Sequence, residues 1–319
     1  MTLRSALPGF AWALALLGAA DVAGAADVAA PPKAVPPARR AAVAARHASL
    51  PAASPDGRRI AFVSDRDGGA WELYAVNSDG TGTRRLTRSP EEESAPAWIE
   101  GGRRIAFLVT RGDSASLCSV EAGGGDRRTH VTLVAKGIRL SNDGRRIAYT
   151  VGGWTRCRLM VANADGTDET ALTDSSAGFF NIAWSPDDRR LAVTRLDPAG
   201  EMQVWVLHSD GTGGHALTAF AREAGRPQWP AWSPQGDRIA VQSGMNDRQE
   251  PAKSTADLWV IDVASGAATR ITTRSRPWLD ETPSWLADGR RLAFQSTRSG
   301  RFEIWVMNAD GTRARQVTR

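Results

Sequence analysis

Ser54-Pro55-Asp56-Gly57-Arg58-Arg59-Ile60-Ala61-Phe62 is a turn followed at once by a short strand, and the chain writes it repeatedly. Proline pre-sets the backbone at the second turn position and Asp-Gly supplies the reversal. The run that follows is apolar on both faces, as expected of a strand covered on both sides. Trp184-Ser185-Pro186-Asp187 with Leu191-Ala192-Val193 is a second clear copy, and the other runs start at Ile105, Ile147, Ile239 and Leu292. Counted from Ile60, successive starts are 45, 42, 44, 48 and 53 residues apart. Each unit continues with a strand of the apolar-Trp-Val kind, then Asp-Gly-Thr, then Leu-Thr or a near equivalent. That is the length and content of one four-stranded blade. The expected fold is all-β, a six-bladed β-propeller of four-stranded antiparallel blades over residues 47–319.

Three columns of the repeat carry its packing. Ala61, Ala106, Ala148, Ala192, Ala240 and Ala293 hold the middle of the second strand, where a small residue suits crowded packing near an axis. The first strand carries Ala53, Trp98, Leu140, Trp184, Trp232 and Trp285 at one position. The third carries Tyr74, Cys118, Met160, Trp205, Trp259 and Trp305. These aromatics are expected between blades, as core. The composition allows such a core: 42% of residues are hydrophobic and 24% charged. Two cysteines, Cys118 and Cys157, exclude a disulfide framework and are expected as buried apolar residues, with one bridge left open.

Residues 51–319 resemble the TolB-type propeller family, on Ser54–Phe62, on Trp184–Asp187 and on Ile304-Trp305-Val306-Met307-Asn308-Ala309-Asp310-Gly311-Thr312. The resemblance implies the fold and, with TolB as the example, a place in the bacterial cell envelope beside the Tol–Pal system. TolB carries an α/β domain ahead of its propeller; here the repeats are preceded by an Ala/Pro-rich stretch. Arg4, the apolar run 6–20 and Ala23-Gly24-Ala25 have the layout of a secretory signal cut after Ala25. The expected organisation is therefore a signal peptide over 1–25, a flexible spacer over 26–46 and the propeller over 47–319. Localisation is expected to be periplasmic or secreted, with no transmembrane span in the mature chain. Loss of Arg4 and Asp21 together leaves the formal charge at +5, a modest basic excess that names no partner.

In an antiparallel blade the Pro-Asp-Gly and Asp-Gly-Thr turns lie on one face of the ring. The second-to-third and blade-to-blade loops lie on the other. The first set is uniform; the second varies, as in 218–229, 243–256 and 273–283. Function concentrates on variable loops held by a rigid frame, so the candidate binding residues are Glu92, Glu93, Phe179, Arg226, Trp229, Trp278, Asp280 and Glu281. Against this stands a plainer reading, in which Trp229 and Trp278 plug loops onto the rim and the carboxylates are solvated. On the uniform face, Arg58-Arg59, Arg103-Arg104, Arg145-Arg146, Arg189-Arg190 and Arg290-Arg291 sit beside turn aspartates, which implies a mixed charged surface.

The sequence lacks His-Glu-x-x-His, Gly-x-Ser-x-Gly and zinc-spaced Cys/His pairs. His208 stands where sister turns have asparagine and reads as a turn residue. Asn-x-Asp-Gly at 77, 163 and 308 lacks the further carboxylates of a calcium loop. Nucleic acid is not indicated, because basic and aromatic residues do not interleave. On these grounds the expectation is no catalytic residue, no cofactor, no metal and no enzyme activity. The expected function is an exported protein-interaction scaffold of the cell envelope, gripping an envelope protein through the variable-loop face. The alternative is a lyase- or lactonase-type propeller enzyme, or a glycan- or peptidoglycan-binding module, working at the channel mouth.

Overall fold

The computed structural model describes residues 47–319 apart from 113, 154, 197–199, 219–224, 245–255 and 273–277. The expected signal peptide and spacer lie outside the described residues, as do parts of the loops 218–229, 243–256 and 273–283. The described strands form six four-stranded antiparallel sheets, each built from four consecutive strands. We number the blades 1 to 6 over residues 48–85, 93–133, 136–171, 178–216, 226–270 and 280–316. The expected fold is the observed one.

Burial explains why the repeats hold together. The described residues form six hydrophobic clusters, and each straddles one blade junction. The cluster between blades 4 and 5, for example, joins Ala192, Val204 and Val206 to Trp232, Ile239 and Val241. A blade alone would leave both faces wet; a ring of blades leaves neither. This is why the second-strand runs are apolar throughout: Ile60, Ala61 and Phe62 are all fully buried.

The repeated motif is a clamp between neighbours. The first-strand Trp of one blade donates its indole N–H to the first strand of the blade before it: Trp98 to Ala52 O at 2.8 Å, Trp184 to Arg139 O at 3.1 Å, Trp232 to Ala183 O at 3.2 Å and Trp285 to Ala231 O at 3.1 Å. The arginine just before the preceding blade's second-strand run then lies over the indole, the second of an Arg-Arg pair at Arg59, Arg146 and Arg190 and following Asp237 at Arg238, with Cζ 4.6–4.9 Å from the ring centre. Such contacts contribute on the order of 1 kcal/mol each. The basic pairs thus divide: Arg58, Arg145 and Arg189 are exposed, while Arg59, Arg146 and Arg190 are packed. The turn ahead of these three pairs is tied by its serine: Ser54 Oγ donates to Asp56 at 2.5 Å and accepts the Arg59 N–H at 2.9 Å, repeated at Ser141 and Ser185. In the Asp-Gly-Thr turns, the Thr81, Thr167, Thr212 and Thr312 N–H groups donate to the aspartate two residues back at 2.8–3.0 Å. The recurrent Leu-Thr has its own task. Thr87, Thr173, Thr272 and Thr318 accept a third-strand N–H through their hydroxyls, at 2.9–3.0 Å.

Among the described residues, no strand is exchanged across the ring closure. The first strand of blade 1, Ala48–Ala53, pairs with Arg59–Ser64 of its own blade, and Arg315–Gln316 pairs only with Glu303–Asn308. The seam is held by Ala48 N–H to Phe302 O at 2.9 Å, Leu50 N–H to Gln295 Oε1 at 2.9 Å and Ala53 N–H to Ser284 Oγ at 3.0 Å. Cys118 and Cys157 are free and buried, as expected, in different junctions.

Candidate functional site: the axial mouth

Every first strand breaks its ladder at the same place. Pairing skips between Ser49 and Ala52, Ser94 and Ala97, Lys136 and Arg139, Phe180 and Ala183, Gln228 and Ala231, and Glu281 and Ser284. Two residues then oppose one, which is a β-bulge. The first bulged residue has a left-handed backbone in all six blades: Leu50, Ala95, Gly137, Asn181, Trp229 and Thr282, with φ from 49 to 64°. Only Gly137 adopts this without steric cost; the others hold it because the surrounding blades fix them. Proline follows at Pro51, Pro96, Pro230 and Pro283. It has no N–H to lose, so it is suited to a bulge on an edge strand. The bulges turn side chains toward the axis, where Leu50, Ala95, Asn181, Trp229 and Thr282, with Arg139, line a cavity of about 90 Å³.

The sequence candidates separate on this frame. Trp229 lines the cavity, with the Arg139 Cζ 5.8 Å from its ring. Glu281 lies one residue before Thr282, half-buried, and accepts from Gln295 Nε2 at 2.8 Å. Burial and the Asp280 carboxylate push its pKa up to about 7 against the Gln295 hydrogen bond. Arg226 is exposed at the start of its strand. The other candidates serve the frame. Asp280 is buried and paired with Arg298, at 2.6 Å to Nη2; burial raises its pKa and the arginine opposes. Trp278 carries the same Arg298, 5.3 Å from its ring. Phe179 belongs to the cluster between blades 3 and 4. Glu93 is fully buried, accepting the Leu73 N–H at 3.0 Å and the Thr87 hydroxyl; burial raises its pKa. Glu92 is exposed and caps the Trp71 N–H at 2.9 Å. The candidate acids are therefore divided between ties within the frame and one half-buried carboxyl. The turn histidine is as expected: His208 is exposed, its N–H on Thr212 O at 2.9 Å.

Sequence reasoning missed Arg139, Thr282, Gln242 and Gln295. Gln242 and Gln295 occupy one second-strand position in blades 5 and 6. Each accepts the bulge N–H of the next blade, Thr282 at 2.8 Å and Leu50 at 2.9 Å. The dipeptides Leu50-Pro51, Ala95-Pro96, Trp229-Pro230 and Thr282-Pro283 were the available signal for the bulges. Among the described residues, no three His, Cys, Asp or Glu side chains gather as a metal site. No described helix is long and apolar enough to cross a membrane.

Fold and mouth together define a six-bladed propeller with a bulge-lined axial opening. The chain belongs to the TolB beta propeller domain family, which matches residues 145–319. The solved structure of TolB from Acinetobacter baumannii resembles it with a TM-score of 0.62 at 18% identity, covering 83% of this chain and 61% of that one. Among curated proteins it is similar to dipeptidyl-peptidase 5 of Porphyromonas gingivalis, 23% identical over 84% of this chain and 47% of that protein. It is also similar to the uncharacterized peptidase YuxL of Bacillus subtilis, 30% identical over 46% of this chain and 22% of that protein. The chain thus spans less than half the length of either curated relative. These relatives overturn the expectation of a non-catalytic scaffold without enzyme activity. That expectation rested on missing motifs within the repeats, and motifs of that kind say nothing about the enzymes in which such repeats occur.

Proposed function

We propose that this propeller serves a peptidase-class enzyme, admitting and orienting peptide at its axial mouth. The similarity to dipeptidyl-peptidase 5 over 84% of the chain carries the reading. The mouth supports it chemically. Trp229 offers a flat apolar face at the opening; three residues before it in the same strand Arg226 is an exposed cation, and next to the cavity-lining Thr282 stands Glu281, a carboxyl that changes charge near neutral pH. A carboxyl with such a pKa can exchange a proton with a peptide amine. Residues 1–25 as an export signal and 26–46 as a tether fit work outside the cytoplasm, where peptides are met.

The test offers short peptides with free ends to the purified chain, reading binding by calorimetry and cleavage by mass spectrometry. Saturable binding is expected, weakened about tenfold in Trp229→Ala as for a central aromatic anchor. A chain that neither binds nor cleaves any peptide overturns the reading.

A further inference from the structure

Position 139 breaks the repeat. The residue before the first-strand packing column is Ala52, Ala97, Ala183, Ala231 or Ser284 in the other five blades, and Arg139 in blade 3. Its backbone does what its sisters do, accepting the indole N–H of the next blade's tryptophan at 3.1 Å. A methyl side chain suffices for that role in three sister blades, so the fold does not ask for arginine here. The guanidinium enters the axial cavity instead.

Its surroundings leave it available. Nη1 donates to Ile138 O at 3.0 Å, and no carboxylate among the described residues pairs with it. Enclosure by protein lowers its pKa to about 10, with burial the sole cause. A guanidinium carries five N–H donors in a planar fork, so most of them point at no protein acceptor. Blade 6 lies opposite blade 3 in a six-membered ring, and it supplies Thr282. That residue is 7% exposed, its backbone fixed by the bulge and by Gln242, and its hydroxyl makes no hydrogen bond. The nearest acid along the chain, Glu281, is turned to Gln295.

One desolvated cation, one buried hydroxyl without a partner and an indole face within about 90 Å³ suit a small planar monoanion. A phosphate dianion would call for more positive charge. A carboxylate matches the guanidinium fork bidentately and leaves its carbon chain for the aromatic face. We propose that the axial cavity is a carboxylate-binding site, gripped by Arg139, completed by the Thr282 hydroxyl and covered by Trp229. Resting on the peptide reading above, the carboxylate is a peptide C-terminus; a free organic acid presents the same group.

The experiment is calorimetry on the full chain with three probes: acetate, a tripeptide acid and the same tripeptide as its C-terminal amide. The acid is expected to bind about tenfold more tightly than the amide, the weight of one charge-assisted pair. Arg139→Ala installs the sister-blade residue, so its melting temperature is expected to hold while the acid–amide difference disappears. Arg139→Lys keeps the charge and loses the fork, and Thr282→Val removes the second donor; each is expected to weaken the acid severalfold, which keeps the test open if Arg139→Ala does not fold. Acetate binding that Arg139→Ala abolishes supports the site even where no peptide binds, and so separates it from the peptide reading. Equal binding of acid and amide with no acetate binding, or a folded Arg139→Ala chain that binds the acid like wild type, overturns it.

Discussion

Asp188 occupies a turn position where sister blades have Gly57, Gly144, Gly236 and Gly289. Its φ of 56° is uncomfortable for a residue with a Cβ. The carboxylate compensates by reaching into blade 3, where it accepts the Asn142 N–H and Nδ2 at 2.8 Å each and the Asp143 N–H at 2.9 Å. Asp188→Gly relaxes the backbone but strips three charge-assisted bonds. We expect a net loss of about 2 kcal/mol, read as a lower denaturant midpoint with unchanged slope. Glu281 gives a pH signature. Its pKa rises from the ordinary 4.5 to about 7 on folding, so the unfolded chain sheds the proton first as pH rises. Its contribution to stability therefore declines between about pH 4.5 and 7 and stays lost above. Glu281→Gln should melt close to wild type near pH 4.5 and above it at pH 8. Parallel melting curves across that range would show that the carboxyl is not penalised.

At the scale of the element, the decisive unit is the tryptophan gripped by the preceding blade. Trp232→Phe keeps most of the apolar contact but loses the indole bond to Ala183 O and weakens the Arg190 contact. We expect a cost of about 1–2 kcal/mol, measured by thermal or denaturant unfolding. If Arg190→Ala costs as much in Trp232→Phe as in wild type, the two are not coupled. The clamp was legible in part: turn and tryptophan recur and the tryptophans read as inter-blade core, but the arginine pairs read as a mixed charged surface, because the sequence does not show that their second member folds onto the neighbouring indole. The bulges were harder to read. Their geometry recurs, but Leu50, Ala95, Asn181, Trp229 and Thr282 share no side-chain chemistry, because the backbone and not the residue sets the conformation. The site was half legible. Trp229 stood out as a loop aromatic, whereas Arg139 is visible only when its column is set beside five small residues. Phe179, Glu93 and Asp280 misled because apolar and acidic residues at a strand's start look alike whether they face a loop or a neighbouring blade.

For the whole molecule, the junctions are unequal. Leu140 and Ala53 replace the tryptophan at the 2–3 and 6–1 junctions, and the arginines that would cover it turn back on their own blades: Arg104 to Asp126 at 2.8 Å and Arg291 to Asp288 at 2.7 Å. The 6–1 seam leans instead on the Gln295 and Ser284 side chains and on one backbone contact, Ala48 N–H to Phe302 O. Gln295→Ala is expected to speed hydrogen exchange at Leu50 and Ala48 while leaving Ile239, within the clamped 4–5 junction, protected. Uniform acceleration around the ring would mean that the seam opens only with the whole fold.

Among the described residues no strand is lent across the seam, so each described blade is complete in covalent order, and the 6–1 junction is topologically the same as the other five. The order in which the blades are read from the gene is then a convention of the chain rather than a demand of the ring. A circularly permuted sequence, broken in any blade-to-blade loop and rejoined at residues 47 and 319, would specify the same closed wheel. Single blades are likewise the natural currency by which such a protein can be duplicated, recombined or grafted.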